Sequence, residues 1–178
     1  MARLEILTFP DPRLQQRAEP VVEVDETIRT LIDDMFETMY ASEGVGLAAP
    51  QVGVFQRVIV VDCAEREPHE EAPLAPKEPV AVVNPAVESA EGKITWNEGC
   101  LSVPGYVDEV ERAARVVVTG LDRNGDPMRV EAEGLLAVCL QHEIDHLEGT
   151  LFVDRLSRLK QAMVKKRLRK RAAAEATV

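Results

Sequence analysis

The feature that most constrains this chain is a pair of histidines four residues apart in an apolar segment. His142 and His146 form the pattern His-Glu-x-x-His within residues 135–147, where apolar residues recur at helical spacing. Residues four apart share one face of a helix, so both imidazoles can bind one metal ion, with Glu143 beside them. Two of the three histidines in the chain have this spacing, and buried polar groups need partners. We therefore predict a metal site on a buried helix.

A catalytic metal site needs a third protein ligand and a position left open for water. No histidine follows the helix, so the third ligand is expected upstream. Cys100 lies in the polar, glycine-containing segment 97–102, which predicts an exposed turn whose thiolate can reach a metal. We interpret Cys63 and Cys139 as small packing hydrophobes. The remaining histidine, His69, is expected to have no role.

Two further helices are predicted outside the middle of the chain. Apolar residues recur at helical spacing over about 26–41, and Asp25 precedes them as a suitable N-cap. A basic helix is expected to begin at Ser157. Its weak apolar face would consist of Leu159, Met163 and Leu168. Residues 44–53 contain three glycines and a proline without a helical or strand period, which predicts a loop.

The middle of the chain is rich in β-branched residues. These runs predict strands at 57–62, 80–84, 115–121 and 128–132. Asn124-Gly125 favours a type I′ hairpin between the last two strands. The glutamate- and proline-rich segment 64–79 is typical of an exposed loop. The chain therefore predicts an α+β fold, with antiparallel strands around the central metal-binding helix and the basic helix packed outside.

The charge of the chain is divided by position. Residues 155–178 contain nine basic residues and one acid, a net charge of +8, so the rest carries −18 of the total of −10. An acidic body repels phosphate backbones, which leaves any nucleic-acid contact to the tail. The length of 178 residues fits one domain. We predict a single catalytic domain over 1–156, followed by a basic helix and tail over 157–178.

The sequence also bears on the compartment. No run approaches the roughly 20 apolar residues of a membrane helix, and the N-terminus lacks a charged segment followed by an apolar one. The chain has three cysteines, a small and odd number that does not fit a disulfide framework. We expect a cytoplasmic protein without a membrane partner.

Three segments resemble the signature motifs of peptide deformylases. They are Gly44-Val-Gly-Leu-Ala-Ala-Pro-Gln51, Glu98-Gly-Cys-Leu-Ser102 and Gln141-His-Glu-Ile-Asp-His-Leu-Glu-Gly149. They stand in the order of that family, and the resemblance covers roughly residues 3–160. It implies removal of the formyl group from the N-terminal formylmethionine of new polypeptides at one divalent metal ion, usually Fe²⁺ in the cell. Zn²⁺, Ni²⁺ and Co²⁺ would also suit a site with one cysteine and two histidines.

The resemblance also implies a role for particular residues. The metal ligands would be Cys100, His142 and His146. Glu143 would act as the general base and acid, taking a proton and returning it to the leaving amine. Gln51 and the backbone N–H of Leu101 would hold the oxyanion that develops on the formyl oxygen. The products would be formate and a peptide with a free amino group.

Helix spacing places apolar side chains beside the expected metal site. Residues three, four and seven positions before His142 share its face of the helix, so they would form the wall of a slot for the methionine side chain. Ordinary core packing would equally explain each of these residues taken alone. These residues are Cys139, Val138 and Leu135. Glycines would let the peptide backbone come close and pair as an added strand. They are Gly44, Gly46, Gly99 and Gly105, with Val45 facing the substrate.

Two other classes of protein remain open at this point. A zinc endopeptidase would share the two histidines and Glu143 but would cut internal peptide bonds. A non-enzymatic ribosome-associated module would fill the fourth metal position with a protein ligand. The tail over 157–178 is either a solvated helical face or, as we favour, an element that docks on ribosomal RNA, where formylmethionyl nascent peptides emerge. We expect a monomer.

Overall fold

A computed structural model of the protein describes residues 1–64 and 77–177. Its strands are β1 (Gly46–Ala48), β2 (Val58–Asp62), β3 (Pro79–Glu91), β4 (Ile94–Cys100), β5 (Val103–Arg112), β6 (Arg115–Leu121) and β7 (Pro127–Glu133). Its α-helices are α1 (Glu26–Ala41), α2 (Gly134–Leu147) and α3 (Arg158–Ala176). Short 3₁₀ helices occupy Pro12–Gln15, Ala49–Val52 and Phe152–Arg155. Most of the expected loop 64–79, with His69, lies outside the described residues. No described helix is both long and apolar enough to cross a membrane.

Two antiparallel sheets form the framework. The larger has the strand order β1-β2-β3-β6-β7, and the smaller consists of β4 and β5. Successive side chains of β2 alternate between the faces of the larger sheet. Val58 and Val60 belong to the core that contains Met35 of α1. Ile59 and Val61 belong to the core that contains Leu140 of α2. The larger sheet therefore lies between α1 and α2.

The smaller sheet has an apolar core of its own. Val103 and Val110 of β5 pack with Phe152 and with Val164 and Leu168 of α3. The basic helix is thus attached to the two-stranded sheet through a narrow apolar stripe. The smaller sheet also contacts α2, through Glu98 of β4 with His142 and through Arg112 of β5 with Asp145.

The structure confirms the α+β fold and the positions of all three predicted helices. Asp25 caps α1 through Oδ1, which accepts the N–H of Ile28 at 3.1 Å, and Ser157 caps α3 in the same way. The face predicted for α3 is partly wrong, since Leu159 and Met163 are 74% and 63% exposed. The residues of α3 that are buried are Val164 and Leu168.

Several strand predictions are also corrected. The strand expected at 80–84 extends over all of β3, and the loop expected at 44–53 contains β1 and a 3₁₀ turn. The hairpin between β6 and β7 is not type I′, which needs two left-handed residues. Only Gly125 of the pair has a positive φ, +83°, and the Asp122 carboxylate accepts the N–H of Asn124 instead.

The turn after α2 offers a test of the fold. Gly149 has a φ of +74°, and a Cβ there would lie 2.2 Å from the carbonyl oxygen of Gln15. An alanine in this left-handed conformation loses about 1–2 kcal/mol of stability relative to glycine. Gly149→Ala adds to this a steric clash with the backbone of Gln15. At Gly53, φ is +78° and a Cβ would meet nothing within 4 Å, so Gly53→Ala carries the penalty alone. We expect urea unfolding to show the larger loss of stability for Gly149→Ala; equal losses would contradict the packing described here.

Candidate metal centre

Two ligand candidates lie on one buried face of α2. His142 and His146 are both buried, their ring centroids are 5.0 Å apart, and their Nε2 atoms are 3.2 Å apart. The ring of Phe152 stacks on His142 with centroids 6.1 Å apart. Both imidazoles therefore direct the same nitrogen toward one point, as the four-residue spacing predicted.

The third candidate comes from the end of β4. The Sγ atom of Cys100 lies 3.4 Å from Nε2 of His146, and the ligand atoms of Cys100, His142 and His146 all lie within 4.8 Å of one another. The predicted setting of Cys100 is wrong: it is a half-buried strand residue where the β4–β5 register shifts after Gly99. Such an irregularity redirects a side chain relative to a regular strand. Here it accompanies the turn of the Cys100 side chain toward α2.

Glu98 holds the ring of His142 in place. Its Oε1 atom lies 2.8 Å from Nδ1 of His142, and its two oxygens accept hydrogen bonds of 2.7 and 2.8 Å from Arg112. Burial tends to raise the pKa of Glu98, but the hydrogen bonds from Arg112 and His142 outweigh it and lower the pKa. A carboxylate that accepts the Nδ1 proton leaves Nε2 of the ring free to bind a metal.

Asp145 forms ion pairs with two arginines near the site. In the structure its carboxylate accepts a hydrogen bond of 2.6 Å from Nη1 of Arg112 and ion-pairs with Arg155 at 2.6 Å. Alternating charges therefore lead from exposed Arg155 through Asp145, Arg112 and Glu98 to the imidazole of His142.

Glu143 faces the cavity beside the three ligand candidates. It is buried, and its Oε2 atom has no hydrogen-bond partner among the described residues. A Cβ on Gly46 would lie 2.5 Å from its Oε1 atom, so β1 passes the carboxylate at a distance that only glycine permits. Burial raises the pKa of Glu143 to about 7, although the charges of His142 and Arg112 act to lower it. This carboxyl group can exchange a proton near neutral pH.

Gln51 is buried and contacts Cys100 from the 3₁₀ helix that follows β1. Its Nε2 atom is 3.5 Å from Sγ of Cys100 and donates to Oγ of Ser102 at 3.0 Å, while its Oε1 accepts the N–H of Ala48 at 2.9 Å. Leu101 follows Cys100 in the turn between β4 and β5 and also borders the cavity. Two candidate donors, a side-chain amide and a backbone N–H, therefore flank the thiol.

The cavity at this site has a volume of about 470 Å³. The residues predicted to contact substrate all line it: Gly44, Val45, Gly46, Gly99, Gly105, Leu135, Val138 and Cys139. Trp96 and Val107 also line its wall, although the sequence did not predict them there. The alternation of β4, which places every second residue on one face, would have pointed to Trp96 with Glu98 and Cys100.

The residues present fit a bound divalent metal ion. One thiol and two imidazole nitrogens converge within 4.8 Å, and the described residues contain no other such group of three donors. An unpaired carboxylate oxygen of Glu143 is buried beside them, which is costly unless something polar occupies the cavity. Three protein ligands leave a coordination position for a small molecule, as in catalytic sites.

Comparison with known proteins gives consistent matches. Residues 3–162 match the family described as polypeptide deformylase. The peptide deformylase of Alkalilimnicola ehrlichii is 53% identical over 96% of this chain and 91% of its own length, and that of Neisseria meningitidis is 52% identical over 96% and 97%. The crystal structure of the Legionella pneumophila enzyme has a TM-score of 0.85 at 48% identity, covering 98% of both chains. That of the Ehrlichia chaffeensis enzyme in complex with actinonin has a TM-score of 0.86 at 44% identity, covering 96% and 98%.

The buried arginine provides a test of the site's framework. The side chains of Arg112 and Glu98 are each only 3% exposed. Arg112→Met leaves the Glu98 carboxylate buried without its cation, and we expect the free energy of unfolding to fall by about 3–5 kcal/mol. Arg115→Met, which breaks an exposed pair with Glu133, should change it by about 1 kcal/mol or less. Urea unfolding of both metal-loaded variants checks this, and similar values for the two would contradict it.

Proposed function

This chain belongs to the polypeptide deformylase family, and from that premise we propose how its own residues carry out the reaction. As a member of this family it is a metal-dependent hydrolase that removes the formyl group from the N-terminal formylmethionine of newly made polypeptides. The endopeptidase and the non-enzymatic module considered from the sequence are therefore wrong. The assignment of roles rests on one observation, the convergence of Cys100, His142 and His146 beside an unpaired Glu143 oxygen.

Cys100, His142 and His146 hold the metal ion in this proposal. The bound ion supplies Lewis acidity, which makes hydroxide available near neutral pH. Fe²⁺ is the ion we assign for the cell, following the family, and the same donors accept Zn²⁺, Ni²⁺ or Co²⁺ in purified protein. Glu98 supports the site by accepting the Nδ1 proton of His142, with which it makes a 2.8 Å contact.

Glu143 moves the proton. Its carboxylate accepts a proton from the attacking water and delivers it to the nitrogen of the leaving amine, so that one residue serves both halves of the reaction. Its unpaired Oε2 atom and its position against Gly46 support this role, because the carboxylate is held at the cavity wall without a competing protein donor. The pKa of about 7 suits a group that must both accept and release a proton.

Gln51 and the N–H of Leu101 stabilise the charge that develops on the formyl oxygen. A neutral amide and a backbone N–H donate hydrogen bonds without competing as metal ligands, and each such donor contributes roughly 2.7–4 kcal/mol. The position of Gln51, with its Nε2 atom 3.5 Å from Sγ of Cys100, supports this assignment. The donors then lie beside the cysteine, while Glu143 acts from α2.

The apolar end of the cavity receives the methionine side chain. Leu135, Val138 and Cys139 line it, and their spacing on α2 sets them beside the ligand histidines. The peptide backbone lies along the glycines that line the cavity, where it pairs as an added strand. They are Gly44, Gly46, Gly99 and Gly105. Val45, which is exposed at the cavity rim, contacts the substrate there.

Replacement of the proton carrier tests this function directly. We expect Glu143→Gln to lower formate release from formyl-Met-Ala-Ser by about 10²–10⁴-fold, because proton transfer is lost. The metal content, measured by elemental analysis, should stay at that of the unchanged protein. An acetylated copy of the peptide controls for acyl selectivity and should release no acetate. Full activity in Glu143→Gln would refute the assigned role.

The basic helix docks the enzyme on the ribosome in our proposal, and the protein acts as a cytoplasmic monomer with catalytic residues within 1–156. The support is charge: 155–178 carries +8 beside a body of −18, which draws it to the phosphates of RNA. Several cations of α3 already serve the fold, since Lys160 pairs with Asp108 and Lys165 with Asp154. The remaining exposed cations are available for RNA.

A charge variant tests docking without damaging the core. Deletion of 157–178 would strip Val164 and Leu168 from the apolar cluster, so we choose Arg158, Lys166 and Lys170, which are exposed and form no ion pair with a described residue. Their joint replacement with Gln should reduce co-sedimentation with ribosomes at low salt and leave formate release from the short peptide unchanged. Unchanged co-sedimentation would contradict docking through this helix.

A further inference from the structure

We propose that Ser102 is a positioning residue for deformylation, which fixes the side-chain amide of Gln51 so that one of its N–H groups is directed at the reacting oxygen. This inference rests on the proposed function, because it takes the role of Gln51 as its starting point. Ser102 does not line the cavity and is completely buried. It would therefore act through Gln51 and not on the substrate.

The hydrogen bonds of Gln51 define the orientation of its amide. The Oε1 atom accepts the N–H of Ala48 at 2.9 Å, and a backbone N–H can only donate, so the oxygen of the amide is directed away from the cysteine. The Nε2 atom has two N–H groups. It donates to Oγ of Ser102 at 3.0 Å and lies 3.5 Å from Sγ of Cys100.

These contacts give the two N–H groups of Gln51 different acceptors. The bond to Ser102 is the shorter and has an oxygen acceptor, so it holds one N–H outside the cavity. The other N–H is directed at the thiol of Cys100, with Nε2 3.5 Å from Sγ, and sulfur is a weak acceptor. Only that second group is in a position to turn toward a substrate oxygen. Without the hydroxyl of Ser102, only the bond from the N–H of Ala48 holds the amide, which can then rotate and turn the second N–H away from the reacting oxygen.

The backbone on both sides of this bond is also fixed. The carbonyl oxygen of Gln51 accepts the N–H of Leu7 at 2.7 Å, and that of Ser102 accepts the N–H of Phe9 at 2.8 Å. The N-terminal segment thus ties the 3₁₀ turn that contains Gln51 to the turn after β4. The bond between Gln51 and Ser102 joins two anchored segments, so the donor is arranged before the substrate binds. Such preorganisation is what makes an oxyanion donor effective.

A double-mutant cycle tests the proposal. Gln51→Leu removes the donor and should lower kcat by about 10²–10³-fold. Ser102→Ala leaves the donor present but misplaced and should lower kcat roughly tenfold with little change in KM, because the substrate's side chain and backbone bind elsewhere. In the double variant, Ser102→Ala should add nothing to the effect of Gln51→Leu, since a residue that acts through another has no effect once the other is gone.

Two further measurements separate positioning from a general structural role. The visible absorption of the cobalt-loaded protein should be unchanged in Ser102→Ala, because Cys100 and the histidines keep their places. Ser102→Thr, which keeps the hydroxyl, should recover most of the kcat lost in Ser102→Ala. Thermal unfolding of the three single variants, followed with the same metal, establishes that each is folded when its kcat is measured.

The outcomes distinguish this inference from the function on which it rests. If Gln51→Leu lowers kcat while Ser102→Ala does not, or if the two effects multiply, the positioning role of Ser102 is overturned and the role of Gln51 stands. A changed cobalt spectrum or an unfolded Ser102→Ala protein also overturns it, since Ser102 would then maintain the site as a whole. If Gln51→Leu leaves kcat unchanged, the oxyanion role fails, and the inference fails with it.

Discussion

The ion pair between Arg112 and Glu98 is the interaction on which the site depends. It is buried between the two-stranded sheet and α2, and both Glu98 oxygens accept hydrogen bonds from Arg112 while one of them also contacts His142. The third nitrogen of the guanidinium binds Asp145 on α2. Buried charges are tolerated when their polar atoms are paired in this way. One arginine thereby fixes the distance between β4, which ends in Cys100, and the helix that contains the histidines.

The chemistry is divided among segments that are far apart in the chain. Glu143 and the histidines belong to α2, Cys100 and Leu101 to the turn after β4, and Gln51 to the 3₁₀ turn after β1. The larger sheet supports α2 on one face and α1 on the other, so β1 and α2 approach each other at its edge. Gly46 permits that approach, because any side chain there would meet the Glu143 carboxylate. The backbone of β1 therefore borders the cavity on one side, where a peptide can pair with it. The side chains of Cys100, His142 and Glu143 border the part of the cavity where the reaction occurs.

The basic helix makes both apolar and charged contacts with the rest of the fold. Its apolar contribution to the core is narrow, limited to Val164 and Leu168, and cations on its flanks pair with Asp108 and Asp154. The hydropathy pattern predicted a face through Leu159 and Met163, which are exposed in the structure. A hydropathy pattern does not show which of several aliphatic residues will fill a small contact surface, and here Val164 and Leu168 fill it. The helix is held by few contacts and presents most of its charge to solvent.

The sequence by itself determined the helices, the central strands and the identity of the groups around the metal. Helical periodicity and capping residues are local, and the four-residue spacing of His142 and His146 already places two nitrogens on one face. The resemblance of three short motifs added Cys100, Gln51 and Glu143, and the structure brings all of them to one cavity. These features could be predicted because each depends on neighbouring residues or on the resemblance of short motifs to those of a known family.

Only the tertiary structure decided how those groups are oriented. The strands β4 and β5 escaped prediction because buried Glu98 and Arg112 interrupt their apolar alternation, and such charges enter a core only when a partner from another segment neutralises them. Ser102 ends the second motif, but its partner could not be predicted from that motif, because its hydroxyl contacts Gln51 from a position 51 residues away. Pairings of this kind depend on distances across the fold, so no local pattern of residues contains them.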